Sequence, residues 1–296
     1  MGAIAIQPAG VKPVVIQPAA RPWRQPSVIP GFGLTFGFAM TYLSLIVLIP
    51  IAALILRTTE LSWQQYWEIA SSERVIAALR LSFGASLLAA TINAVFGLVA
   101  AWVLARYDFP FKRIVDAIVD LPFALPTAVA GIALTAIFDR NAWVGSTLDA
   151  FGIQVAYTWI GVTVALTFIG LPFVVRTLQP VIAEIDREIE EAAATLGAGR
   201  WRAFVRVILP PLLPALLTGY VLALARAVGE YGSVIFIAGN IPYKTEIAPL
   251  LIVIRLTEFD YSGATAVATI MLAISFAIFL VINLIQAWAR RKFGNA

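Results

Sequence analysis

Long apolar runs separated by short polar clusters set the rhythm of this chain. Six stretches approach the roughly 20 mostly apolar residues that a helix needs to cross a hydrocarbon core. They are Gly33–Leu56, Ile76–Ala105, Ala117–Phe138, Val155–Val175, Leu212–Ile237 and Ala264–Trp288. Backbone polar groups find no partner in lipid, so all six are predicted as helices. The pattern changes in two places. Residues 1–30 are dense in proline, repeat IQPA and hold no continuous apolar core. Proline lacks an N–H and fixes φ, which predicts an extended, solvated tail rather than a cleaved signal peptide. Between the fourth and fifth runs the period becomes that of an amphipathic helix. Ile182, Ile185, Ile189, Ala192 and Leu196 recur every three or four residues, with Glu184, Glu188 and Glu191 opposite. Gly197 suits the left-handed residue that ends such a helix, and Gly199 loosens the turn. A second short helix then carries Trp201, Phe204, Val205 and Ile208 on one stripe, flanked by Arg202 and Arg206, until Pro210 and Pro211 stop it.

Composition narrows the class. The 296 residues are 60% hydrophobic and 13% charged, against about 25% charged in soluble domains. Mean hydropathy is +0.89. Such a chain cannot cover a soluble surface, so the lipid bilayer is its solvent. It contains no histidine and no cysteine, which removes the commonest general base, disulfides and thiolate metal sites. With no nucleophile elbow or metal cluster either, a membrane enzyme is unsupported.

The pI near 9.5 suggests nucleic acid until the basic residues are placed; they track membrane orientation instead, so no nucleic-acid partner is expected. One set of connections carries fourteen of them, from Lys12, Arg21 and Arg24, through Arg106, Lys112 and Arg113 and the five between Arg176 and Arg206, to Arg290, Arg291 and Lys292. The other set carries six: Arg57, Arg74, Arg80, Arg140, Lys244 and Arg255. The positive-inside rule places both termini and the 181–210 insert in the cytoplasm. Tryptophans at 63, 67, 143, 159 and 288 fall near span ends, as interfacial anchors do.

Two places carry candidate chemistry. The insert presents two aromatics and a basic flank, which suits three roles. It can lie on anionic lipid, pack on the bundle itself, or anchor an interface. Within the fifth run, Arg226 and Glu230 stand four apart on one helical face, with Tyr231 beside them. Charges there are costly and either pair internally or line an aqueous path. Gly229 and Gly232 would let neighbouring helices approach closely.

The insert EAAATLGAGRWRAFVRVILP resembles the EAA loop of ABC importer permeases, the pattern falling on Glu191, Ala192, Ala193, Gly197, Val207, Leu209 and Pro210. Valine stands at 207 where isoleucine is commoner. ARAVGEYGSV resembles the signature of oxyanion importers, and DLPFALPTAVAGIALT is similar to a segment of T-type (U-type) permeases of the sulfate/thiosulfate family. The resemblance covers residues 30–296. It implies an all-α, six-span type I importer permease of the bacterial inner membrane with a cytoplasmic coupling helix. The loop would seat in a separate ATPase, Gly197 forming the turn, Trp201 and Phe204 docking, Glu191 steadying the helix before it, and Arg202 and Arg206 meeting acidic groups. Implied partners are a second, W-type permease, two ATPase subunits and an extracytoplasmic sulfate-binding protein. The chain has no G-x-x-x-x-G-K-[ST] loop, so ATP and magnesium would be bound by the ATPases and no cofactor by this chain. Arg226, Glu230 and Tyr231 become candidates for the translocation path or gate. A molybdate or tungstate permease working as a homodimer is the nearest alternative. An autonomous carrier or channel would have no use for an ATPase joint.

Overall fold

The computed structural model describes residues 32–293, apart from the side chains of Arg187 and of residues 288–293. The proline-rich tail and the expected anchor at Trp288 therefore lie outside what is described. Among the described residues the secondary structure is all helix, without strands. Two units are distinguished, residues up to Ile51 and residues from Ala52 onward. Helix α1 runs Phe32–Thr59, and none of its side chains is buried within this chain.

Five helices are long and apolar enough to cross a membrane. Besides α1 they are α3 (Glu73–Arg106), α8 (Trp159–Glu184), the continuous helical stretch Arg200–Val228, and Tyr261–Ala287 of α14 (Tyr261–Phe293). A capped turn of helix, α2 (Trp63–Ala70), precedes α3: Ser62 and Gln65 satisfy each other's backbone donors. The third expected span is not one helix. It divides into α4 (Lys112–Val119), α5 (Leu121–Ala124) and α6 (Thr127–Phe138), the last only 12 residues long. Proline explains the break, since Leu125, just before Pro126, is forced to extended backbone with ψ 133°. The fifth expected span also ends early. Helix α11 (Leu209–Val228) stops at Gly229, and the chain re-enters as α12 (Val234–Ala238) and α13 (Ala248–Thr257).

The centre of the second unit is α3, α8 and α11 packed at close range. A Cβ at Gly97 would lie 2.8 Å from Val174 Cγ1, and one at Gly219 would lie 3.0 Å from the Val174 Cα. Small residues on both partners let the backbones meet over a single valine, which is how helices associate tightly where no hydrophobic effect separates protein from lipid. At the Arg106 end of α3 the core is Leu104, Leu178, Ile182, Ile208 and Leu212, all buried. Four of the expected anchors, Trp63, Trp67, Trp143 and Trp159, are exposed near helix starts.

Candidate functional site

The 181–210 insert is two short helices around one tight turn. Helix α9 spans Arg187–Thr195, with Asp186 in extended backbone at its start. Ile182, expected on the insert's apolar face, instead belongs to the end of α8 and the core, because the chain breaks at Ile185–Asp186. The C-terminus of α9 is a Schellman motif. Gly197 sits at φ +77°, its N–H donates to the Ala194 carbonyl at 3.0 Å, and Ala198 N–H donates to Ala193 at 3.0 Å. Nothing lies within 4 Å of where a Gly197 Cβ would stand. Glycine is therefore required by backbone conformation and not by lack of space.

After Gly199 comes α10 (Arg200–Ala203), then a π turn, Phe204–Ile208, leading directly into α11. The expected stop at Pro210 and Pro211 does not occur. The Leu209 N–H reaches back to the Phe204 carbonyl, five residues rather than four. This widened turn sits where two rings without donors would otherwise collide with carbonyls one turn earlier. Pro210 and Pro211 thus open α11, positions where their missing N–H groups cost little.

The two aromatics face different ways. Trp201 is 76% exposed, as is Leu196 at 88%. Phe204 is half-buried, stacked on Trp201 at 6.0 Å and meeting the Trp102 edge at 6.2 Å on α3. Arg202, Arg206, Glu191, Ala192 and Gly197 are exposed, Ala193 is buried, and Leu209 and Pro210 are half-buried. Glu191 has no hydrogen bond or ion pair among the described residues. Its neighbour Glu190 makes the tie, pairing with Arg106 at 3.1 Å. Arg106 also donates to the Ile185 carbonyl at 2.7 Å and lies 5.5 Å over the Trp102 ring. Trp102, Arg106 and Glu190 form a brace between insert and bundle that the sequence reading missed. Trp102 and Glu190, together with Phe204, border an apolar cleft of about 590 Å³.

The second candidate lies at the far end of α11. Arg226 is in its last turn, and Glu230 follows the break. The two are ion-paired, Glu230 almost wholly buried and a third of the Arg226 side chain exposed. The other Glu230 oxygen accepts from Ser233 N at 2.9 Å and Ser233 Oγ at 3.0 Å. All the lone-pair directions a buried carboxylate most needs filled are therefore served. Gly232 does permit close approach, since its Cβ would lie 2.2 Å from Thr127 Oγ1, whereas Gly229 has nothing nearer than 3.9 Å. Tyr231 is half-buried against the core of α8 and α12.

The geometry is thus a set of membrane-length helices, some of them broken, with an insert braced on one end. Residues 93–295 match the family described as binding-protein-dependent transport system inner membrane component, and the chain belongs to that family. It is the permease kind of subunit and not a catalyst. The sulfate transport system permease protein CysT of Escherichia coli (strain K12) is 48% identical over 269 residues, 90% of this chain and 97% of that protein. CysT of a Synechocystis strain is 50% identical over 250 residues, 84% and 87%. A solved bacterial ABC transporter involved in import of the acidic polysaccharide alginate has the same fold. It superposes with a TM-score of 0.71 at 16% identity, over 86% of this chain and 96% of that one.

Proposed function

We propose that the chain is one of two different permeases in an ATP-driven importer of sulfate and thiosulfate, its termini and insert cytoplasmic in a bacterial inner membrane. The similarity to sulfate permeases along nearly the whole chain supports the substrate. The observation that carries the mechanism is the insert. A turn locked by Gly197 holds Leu196 and Trp201 outward while Phe204 and the Arg106–Glu190 brace hold it to the bundle. An exposed aromatic on a rigid stub is what an interface anchor needs. We take its receiver to be a cleft in one of two ATPase subunits, which bind ATP and magnesium, with Arg202 and Arg206 facing acidic groups there. ATP-driven closure of the ATPases would displace the insert. Docking of a loaded sulfate-binding protein outside would favour the same outward-open state, as a ligand shifts an equilibrium only by differential affinity. Arg226, its side chain partly exposed and its guanidinium held by Glu230, is the proposed contact for the passing anion, with Tyr231 next to Glu230 at the bend.

The test is purification from native membrane followed by ATPase assay with binding protein and sulfate or molybdate. Two distinct permeases and a sulfate-stimulated ATPase support the proposal. A homodimer stimulated by molybdate, or a chain that purifies alone, overturns it.

A further inference from the structure

Besides Arg226, which pairs with Glu230, six basic residues lie toward the side opposite the insert, and four of them are spent. Arg57 pairs with Glu60, Arg74 with Glu246, Arg140 with Asp149 and Arg255 with Asp260. The side chains of the remaining two, Arg80 and Lys244, make no hydrogen bond or ion pair among the described residues. Both line one open cleft of about 370 Å³, with Trp159, Tyr243 and Gly84. We infer that this cleft is an extracytoplasmic anion vestibule, in which Arg80 and Lys244 receive the tetrahedral dianion before it enters the path. The inference rests on the sulfate reading above.

Three observations support it. The first is placement: Arg80 lies two turns into α3, at the outer edge of its apolar span and with no acidic partner among the described residues, so its guanidinium is left to water, lipid headgroups or an anion. The second is rigidity. The loop that carries Tyr243 and Lys244 is knotted, with the N–H groups of Lys244, Thr245 and Glu246 converging on the Ile241 carbonyl at 2.9–3.2 Å. Thr245 Oγ1 accepts from Ile241 N at 2.9 Å, and Glu246 is clamped by both Arg74 donors at 2.7 and 2.8 Å. Tyr243 is held at φ +63°, a conformation that a bulky residue keeps only where its surroundings enforce it. The ammonium is thus presented from a fixed support. The third is position. Arg80 and Trp102, which meets the insert, are 22 residues apart on α3, about 33 Å along a helix. That is the thickness of a hydrocarbon core, so cleft and insert lie on opposite faces. The cleft is several times the volume of an oxyanion, which suits a hydrated waiting position for the anion that the binding protein releases rather than a tight site.

The test uses proteoliposomes holding the complete complex, with binding protein and radiolabelled sulfate, comparing wild type, R80Q/K244Q and the charge-keeping R80K/K244R. We expect R80Q/K244Q to lower sulfate uptake at least tenfold and to flatten its dependence on ionic strength. R80K/K244R should stay within about threefold of wild type. ATPase stimulation by loaded binding protein should persist in both. Unchanged uptake in R80Q/K244Q overturns the vestibule. Joint loss of uptake and stimulation also overturns it, making the cleft a docking surface for the binding protein. If the wild-type complex itself moves no sulfate, the substrate reading fails, and the vestibule for that anion with it.

Discussion

Gly197 offers the sharpest test of the insert, because its surroundings isolate one cause. At φ +77° with open space around the would-be Cβ, any effect of substitution must come from the backbone. An L-residue in the left-handed region costs about 1–2 kcal/mol, and a β-branched one falls at the upper end. That corresponds to roughly a 5–30-fold fall in the ratio of native to non-native turn. Asparagine tolerates the region and also serves at this helix position. Gly197→Val should therefore cut sulfate uptake per assembled complex measurably, by at most about 30-fold. Gly197→Asn should stay within roughly threefold of wild type. The assay is uptake into vesicles normalised to the amount of complex, with ATPase activity measured in parallel to detect uncoupling. If valine transports as well as glycine, the turn does not need its left-handed residue. If asparagine fails as badly as valine, the requirement is for space at an ATPase surface, and the conformational argument is wrong.

Trp201→Ala should weaken ATPase association while leaving thermal stability unchanged, since the ring is mostly exposed; Phe204→Ala should lower the melting temperature, losing about 1–3 kcal/mol with its half-buried contacts. Co-purification and thermal denaturation in detergent separate the two, and identical behaviour would refute the division. Arg226→Leu should abolish transport and assembly by leaving Glu230 buried without its partner, at about 3–5 kcal/mol. Arg226→Leu with Glu230→Leu should restore assembly but not uptake; restored uptake would make the pair purely structural. Gly219→Val should separate α11 from α8, as its branched carbon would press on Val174 backbone. We expect ATPase activity without uptake, and wild-type uptake would show that the contact is dispensable.

The insert was legible because its signals are local. A lone glycine after an amphipathic run announces a left-handed cap, and Gly197 adopts one. The i,i+4 spacing of Arg226 and Glu230 likewise announced their pairing. What failed was whatever depended on register or distant partners. An apolar run reads the same whether helical or broken, so 117–138 looked like one span although Pro126 divides it. Pro210 and Pro211 looked like a stop, yet a widened turn ahead of them carries the helix through. Glu190, which no motif position marks, makes a tie to the bundle through Arg106 on a helix far away in sequence. No local pattern distinguishes two adjacent glutamates by a partner that only the fold supplies.

The same contacts suggest how a push on the insert reaches the other face. The insert bears on α3 at Trp102 and Arg106, and α3 is the helix that carries Arg80 at its opposite end. Between these points α3 and α11 both close on Val174 of α8 through glycines, leaving no slack for one helix to slide alone. Packed cores of this kind move as blocks between discrete arrangements rather than bending continuously. A displacement at the brace is then delivered about 33 Å away without needing a chain of side-chain rearrangements. The breaks at Pro126 and Gly229 fall outside that block, where α6 and the Arg226–Glu230 bend meet through Thr127 and Gly232. On the coupling proposed above, the three-helix block would carry the displacement, and the interrupted α12, whose Val234 and Ile237 are buried against α8, would have to follow it.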